Sequence, residues 1–102
     1  MDVKNGTLVR LNQPCLRNPK GALGVCIDRY LLDNRPGYQF IFENGETDGF
    51  SNDDCNLFLE KIGETMEMYN FKNVIKLDTD YRNGYFNSAF ELGHSHLERG
   101  TV

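Results

Sequence analysis

The sequence predicts an α+β domain of about five short antiparallel strands, with a short helix after the fourth strand and a helical extension at the C-terminal end. Three observations carry this reading. Apolar residues alternate at period two in the first half and recur at helical spacing only after residue 52. Glycine, proline and asparagine interrupt the first half every few residues. The chain has 102 residues, enough for one domain with its own core and too few for two.

The elements follow in order. "GTLVRL" (6–11) reads as a short strand, and "NQPCLRNPKG" is a long connection with two prolines and Gly21 at its end. "LGVCIDRYLLD" (23–33) is a long β-rich run with Leu23, Val25 and Ile27 on one side. Arg29 then falls on the apolar side, which predicts a bulge or a strand running past the core. "NRPG" (34–37) reads as a turn, with Pro36 fixing φ and Gly37 permitting a positive value. "YQFIFE" (38–43) alternates, and Asn44-Gly45 predicts a two-residue type I′ hairpin pairing it with "ETDGF".

Ser51 is placed to cap a helix, Asp53 and Asp54 fall in its first turn, and Phe50 and Cys55 occupy the positions of a hydrophobic staple. Cys55, Phe58, Leu59 and Ile62 continue as a helical stripe that Gly63 would close. "MEMYNFKN" (66–73) is a candidate fifth strand. Val74, Leu77 and Tyr81 then predict a helix stopped at Asn83-Gly84, with Tyr85, Phe86 and Phe90 packing back. This divides the single domain 1–102 into a strand-rich part with an inserted helix over 6–73, a helical extension over 74–91 and a tail over 92–102.

Composition narrows the function classes. The 39% apolar and 12% aromatic content fits a folded globule rather than a disordered chain. No apolar run approaches membrane-spanning length and the N-terminus lacks a secretory stretch, so a cytoplasmic, non-membrane protein is expected. Cys15, Cys26 and Cys55 fit neither a disulfide framework nor a zinc ribbon and read as reduced, the latter two as core residues.

Charge is uneven. Residues 1–35 hold six Lys/Arg against three acids, and residues 36–102 hold five against twelve, within a net charge of −4. The plain reading is that the two halves face each other in the fold; the sharper one is two oppositely charged faces, the acidic one suited to a basic partner.

The order of strand, long loop, long strand, turn, strand, tight hairpin, strand, short helix and strand resembles the SH3-like small β-barrel. "PKGALGV" (19–25) is similar to the glycine-bearing core of the KOW motif. "IFENGETDGFS" is similar to segments of small bacterial and phage proteins, a likeness that implies no function. The chain has no tryptophan and lacks the acidic-aromatic motif of peptide-binding SH3 domains, so proline-ligand binding does not carry over. The KOW resemblance implies RNA or ribosome association through Arg17, Lys20, Arg29 and Arg35, against which stands a sequence pI near 5.0.

Catalytic constellations are thin. His94 and His96 have no carboxylate or cysteine partners at matched spacing, Cys15 has no local base, Asp78 and Asp80 read as flanking a helix start, and no glycine pattern makes a phosphate loop. No enzyme activity, metal or cofactor is expected. The expected function is a non-catalytic protein-binding module, an inhibitor or immunity-type factor whose acidic strip of Glu43, Glu46, Asp48, Asp53 and Asp54 meets a basic protein. The alternative is the KOW-like RNA- or ribosome-associated factor.

Overall fold

The computed structural model describes residues 1–15, 17–64 and 69–100, with side chains up to residue 97. Among them run β1 (Thr7–Leu11), β2 (Leu23–Leu32), β3 (Arg35–Phe42), β4 (Thr47–Ser51), α1 (Asn52–Phe58), β5 (Leu59–Glu64), α2 (Val74–Arg82) and α3 (Asn87–Gly100). The strands form one antiparallel sheet in the order β4-β3-β2-β1-β5.

Both faces of that sheet are covered, because apolar residues of both parities along β1 and β2 must leave water. On one face Val9, Leu11, Cys26, Phe40, Phe42 and Phe50 close over Cys55 of α1 and Leu59. On the other, Leu8, Leu23, Val25, Ile27 and Ile41 lie under Leu77 of α2 and Phe86, Ala89 and Phe90 around the start of α3. The expected bulge in β2 is present: the register with β3 shifts between Cys26 and Asp28.

Two turns differ from expectation. Pro36 and Gly37 are not turn residues; they lie in β3 opposite Leu31 and Tyr30. The reversal is made by Asp33 and Asn34, with φ of 51° and 62°, the paired left-handed values of a type I′ turn. Asp and Asn tolerate that region because their short polar side chains bond locally. At Asn44-Gly45 the hairpin is real but not type I′, since only Gly45 has positive φ, at 86°. The Gly45 N–H donates to the Phe42 carbonyl at 2.8 Å and the Phe42 N–H to the Glu46 carbonyl at 2.9 Å, which makes a three-residue loop with glycine at the bulge position. Gly45→Val is expected to cost about 1–3 kcal/mol, from the left-handed φ. A valine Cβ there would also stand 2.8 Å from the Tyr81 ring. An unchanged thermal midpoint by circular dichroism would contradict this turn geometry.

The helix cap is as expected. Ser51 Oγ accepts from the Asp54 N–H and the Asp54 carboxylate accepts from the Ser51 N–H, a capping box. The helix does not run to Ile62, however. It stops at Phe58, and Leu59 enters a strand at φ −120°, ψ 146°. The reason is β1, whose free edge pairs with Leu59–Glu64 and satisfies a ladder of backbone groups that a seven-residue helix could not supply. Gly63 lies inside that strand.

The fifth strand of the described sheet is β5, Leu59–Glu64. Residues 66–68 lie outside the described residues, and Tyr69–Asn73 are not strand. Tyr69 is buried, and its hydroxyl donates to Asp80 Oδ2 at 2.5 Å.

Asp78 and Asp80 lie within α2, not at its start, in i,i+4 pairs with Arg82 and Lys76. Leu77 is the buried member of the expected α2 stripe, whereas Val74 points to water. The expected tail is also helical. α3 continues to Gly100, because Phe86, Ala89, Phe90, Gly93 and Leu97 form one apolar stripe on the sheet. Gly93 is buried, and a Cβ there would stand 2.7 Å from Leu23 and 2.8 Å from Leu8.

Candidate protein-binding site

The β2–β3 hairpin outruns its neighbours. β1 pairs with β2 only as far as Val25, and β4 pairs with β3 only from Gly37 onward. Beyond those points Leu31 and Leu32 are 72% and 66% exposed. Two adjacent leucines thus stand mostly in water at a sheet tip.

Tyr30 anchors the base of this tip. It stands opposite Gly37, and its ring covers both Gly37 and Gly49 of β4. A Cβ on Gly37 would lie 2.3 Å from the Tyr30 ring, and one on Gly49 2.5 Å from its hydroxyl. The two glycines therefore make a seat that any side chain would fill. Partial burial raises the Tyr30 phenol above its ordinary value, and the negative charges of Asp48, Asp28 and Asp54 push it the same way. It remains a hydrogen-bond donor at neutral pH.

An open cleft of about 570 Å³ runs beside the ring, lined by Leu32, Arg35, Gly49, Ser51 and Asp54 among others. A second of about 580 Å³ lies on its other side, with Asp28, Arg29, Leu31 and Tyr38.

The five acidic candidates do not form one free strip. Glu43 turns to structural work: Oε1 accepts from the Leu23 N–H at 2.9 Å, and Oε2 lies 2.8 Å from His94 Nε2. Glu46 pairs with Arg17 at 3.2 Å. Asp48 accepts from the Gly49 N–H at 2.9 Å, and Asp54 serves the α1 cap. Asp53 is exposed, with no side-chain partner among the described residues. Asp48 and Asp54 thus lie near the Tyr30 phenol, and Asp53 lies in the first turn of α1.

The basic candidates divide as well. Arg17 and Lys20 line a cleft of about 410 Å³ with Glu43 and Asn44, whereas Arg29 and Arg35 belong to the β2–β3 hairpin. Lys4 and Arg10 pair with Glu64 and Glu60 as Arg17 does with Glu46. Three of the six N-terminal cations therefore meet acids from residues 36–102, as the plain reading of the charge split expects.

The other chemistry-bearing residues fall apart from one another. Cys15, Cys26 and Cys55 are free thiols; burial pushes Cys26 up to about 12 and Cys55 to about 11. His94 and His96 lie two apart on α3, which turns them to different sides of the helix. Among the described residues no three His, Cys, Asp or Glu side chains gather where they could hold a metal ion. No described helix is long and apolar enough to cross a membrane.

Sequence reasoning missed Tyr30, Leu31 and Leu32. The available signal was the breakdown of alternation in "DRYLL", where a strand keeps apolar residues after its core-facing pattern has ended. No family model, curated protein or solved structure matches the chain.

Proposed function

We propose that the chain is a non-catalytic, cytoplasmic protein-binding module on an SH3-like small barrel, an inhibitor or immunity-type factor that engages a basic partner. The observation that carries this is the exposed tyrosine seated on two glycines beside a cleft that Asp54 lines. A rigidly held aromatic contributes contact area at little ordering cost, and surrounding carboxylates steer a cationic segment onto it. Asp48, Asp53 and Asp54 are the steering residues of this reading, and Leu32 extends the apolar surface. For the barrel, support comes from β5 returning beside β1, from the long β1–β2 connection, and from α1 packing on both edge strands, β4 and β5. Three free thiols accord with a reducing compartment.

Peptide selection from a random display library on the immobilised chain tests this. Enriched peptides are expected to carry Lys or Arg beside a large apolar residue. Tyr30→Ala should weaken the selected peptides at least about 30-fold. Asp48→Asn with Asp53→Asn should weaken them about tenfold and flatten their salt dependence, while helix stability falls by only about 0.3–1 kcal/mol. Selection without a cationic preference would sink the proposal. Salt-sensitive RNA binding lost in Arg29→Ala with Arg35→Ala would replace it with the KOW-like reading.

A further inference from the structure

The outer edge of the same hairpin carries a separate inference, which does not depend on the Tyr30 cleft or on the proposed partner. In a two-residue type I′ hairpin the residues flanking the turn, here Leu32 and Arg35, exchange both backbone hydrogen bonds, and the pattern then alternates. Tyr30 therefore bonds across to Gly37, and Asp28 to Gln39. Pro36 occupies a position that needs no donor toward β2. By the same alternation Arg29 and Leu31 turn their N–H and C=O groups away from β3. The ladder from β1 has ended at Val25, and the last bond on that side runs from the Gly6 N–H to the Cys26 carbonyl. Among the described residues nothing pairs with the edge beyond it.

An unpaired edge of this kind accepts another strand, and the side chains say which one. The segment Arg29-Tyr30-Leu31-Leu32-Asp33 is complementary to itself when read antiparallel. With a two-fold axis at Leu31, Leu31 meets the partner's Leu31, and the two exchange N–H to C=O bonds through the groups that face outward. Arg29 meets the partner's Asp33, while the Tyr30 ring keeps its place over Gly37 and Gly49 and leaves the partner's Leu32 opposite its backbone. The Leu31 pair sits on the axis and occurs once, and each off-axis contact occurs twice by symmetry. All five residues are exposed, so the pairing needs no rearrangement of the core. Opposite-charge pairs directly across two strands are favourable, and an isologous contact closes on itself rather than growing into a fibre.

We infer that a second copy of this chain adds to the β2 edge, joining two sheets through the Arg29–Asp33 segments into a two-fold dimer. Five residues a side is far below the ~20–30 of a standard interface, so the dimer exchanges with monomer in the micromolar range or weaker.

Sedimentation velocity of the full chain from micromolar to near-millimolar concentration tests this. The sedimentation coefficient is expected to rise from the monomer value to that of a dimer, with no larger species. Leu31→Lys and Arg29→Asp should each hold the protein monomeric while circular dichroism stays native. Arg29→Asp and Asp33→Arg proteins, each monomeric alone, should form a heterodimer when mixed, because both charge pairs are then restored. A strictly monomeric wild type would overturn the inference. So would a dimer that tolerates Leu31→Lys and Arg29→Asp. Should Asp33→Arg not fold at its left-handed position, those two variants still decide the matter. Peptide capture retained by monomeric Leu31→Lys would show that the Tyr30 cleft stands or falls separately.

Discussion

Phe40→Ala is expected to remove about 3–5 kcal/mol of stability, the range for truncating a buried phenylalanine where the surroundings cannot collapse. Phe40 is completely buried in the cluster beneath α1, edge-on to Phe50 at 5.6 Å and tilted against Phe42 at 6.4 Å. Removing it forfeits its transfer free energy and both ring contacts. It also leaves a void walled by β-strands on one side and α1 on the other, neither free to move in. Domains of this size have about 5–15 kcal/mol in total, so the variant should sit close to its unfolding transition at room temperature. The urea midpoint is the measurement, read at constant slope. A loss below ~1 kcal/mol would mean that the cluster of Phe40, Phe42 and Phe50 is not packed as described.

Gly24→Val is the second large effect, of about 1–3 kcal/mol or more, by overpacking. Gly24 lies mid-sheet, in register with Val9 on one side and Phe42 on the other. A Cβ there would stand 2.7 Å from Phe42 Cε1 and 2.8 Å from Cδ1, and Phe42 is 1% exposed. The rigid ring cannot swing aside without entering the cluster of Phe40 and Phe50. The milder Gly24→Ala should therefore be partly rescued by Phe42→Leu. Their double-mutant cycle should give a favourable coupling of about 0.5–3 kcal/mol. Additive losses would mean that strand propensity, not the approach of Phe42, holds glycine here. This also gives Gly24 a physical role in "PKGALGV" that its resemblance to a glycine motif did not supply.

How much was legible follows the range of the interaction involved. Ser51, Asp54, Phe50 and Cys55 were readable because a cap and its staple are settled within a few residues of chain. β2 and its bulge were readable because alternation and its failure are local patterns. The turns were only half readable. Asp33-Asn34 and Asn44-Gly45 are both plausible turn pairs, and the loop length that separates type I′ from a three-residue turn is set by the strand register they must serve. Leu59 and Ile62 fitted a helical stripe, yet the edge of β1 drew them into a strand.

The candidate site was hidden for the same reason. Nothing near Tyr30 in the sequence shows that Gly37 will face it and that Gly49, nineteen positions away in the chain, will lie under its hydroxyl. Nor does composition reveal that Glu43 will hold the Leu23 N–H or that Glu46 will meet Arg17. Local side-chain chemistry settled the class of the domain, its strand-rich first half, the cap of α1 and the positions of most reversals, because those depend on residues within one or two turns of backbone. The tertiary structure alone decided where α1 yields to β5, that α3 extends over the sheet to Gly100, and which charges remain exposed. Those outcomes rest on pairing between segments distant in the chain, such as Thr7 with Glu64 and Glu43 with His94. Such pairing is won by backbone hydrogen bonds and shared burial that no short window of sequence contains.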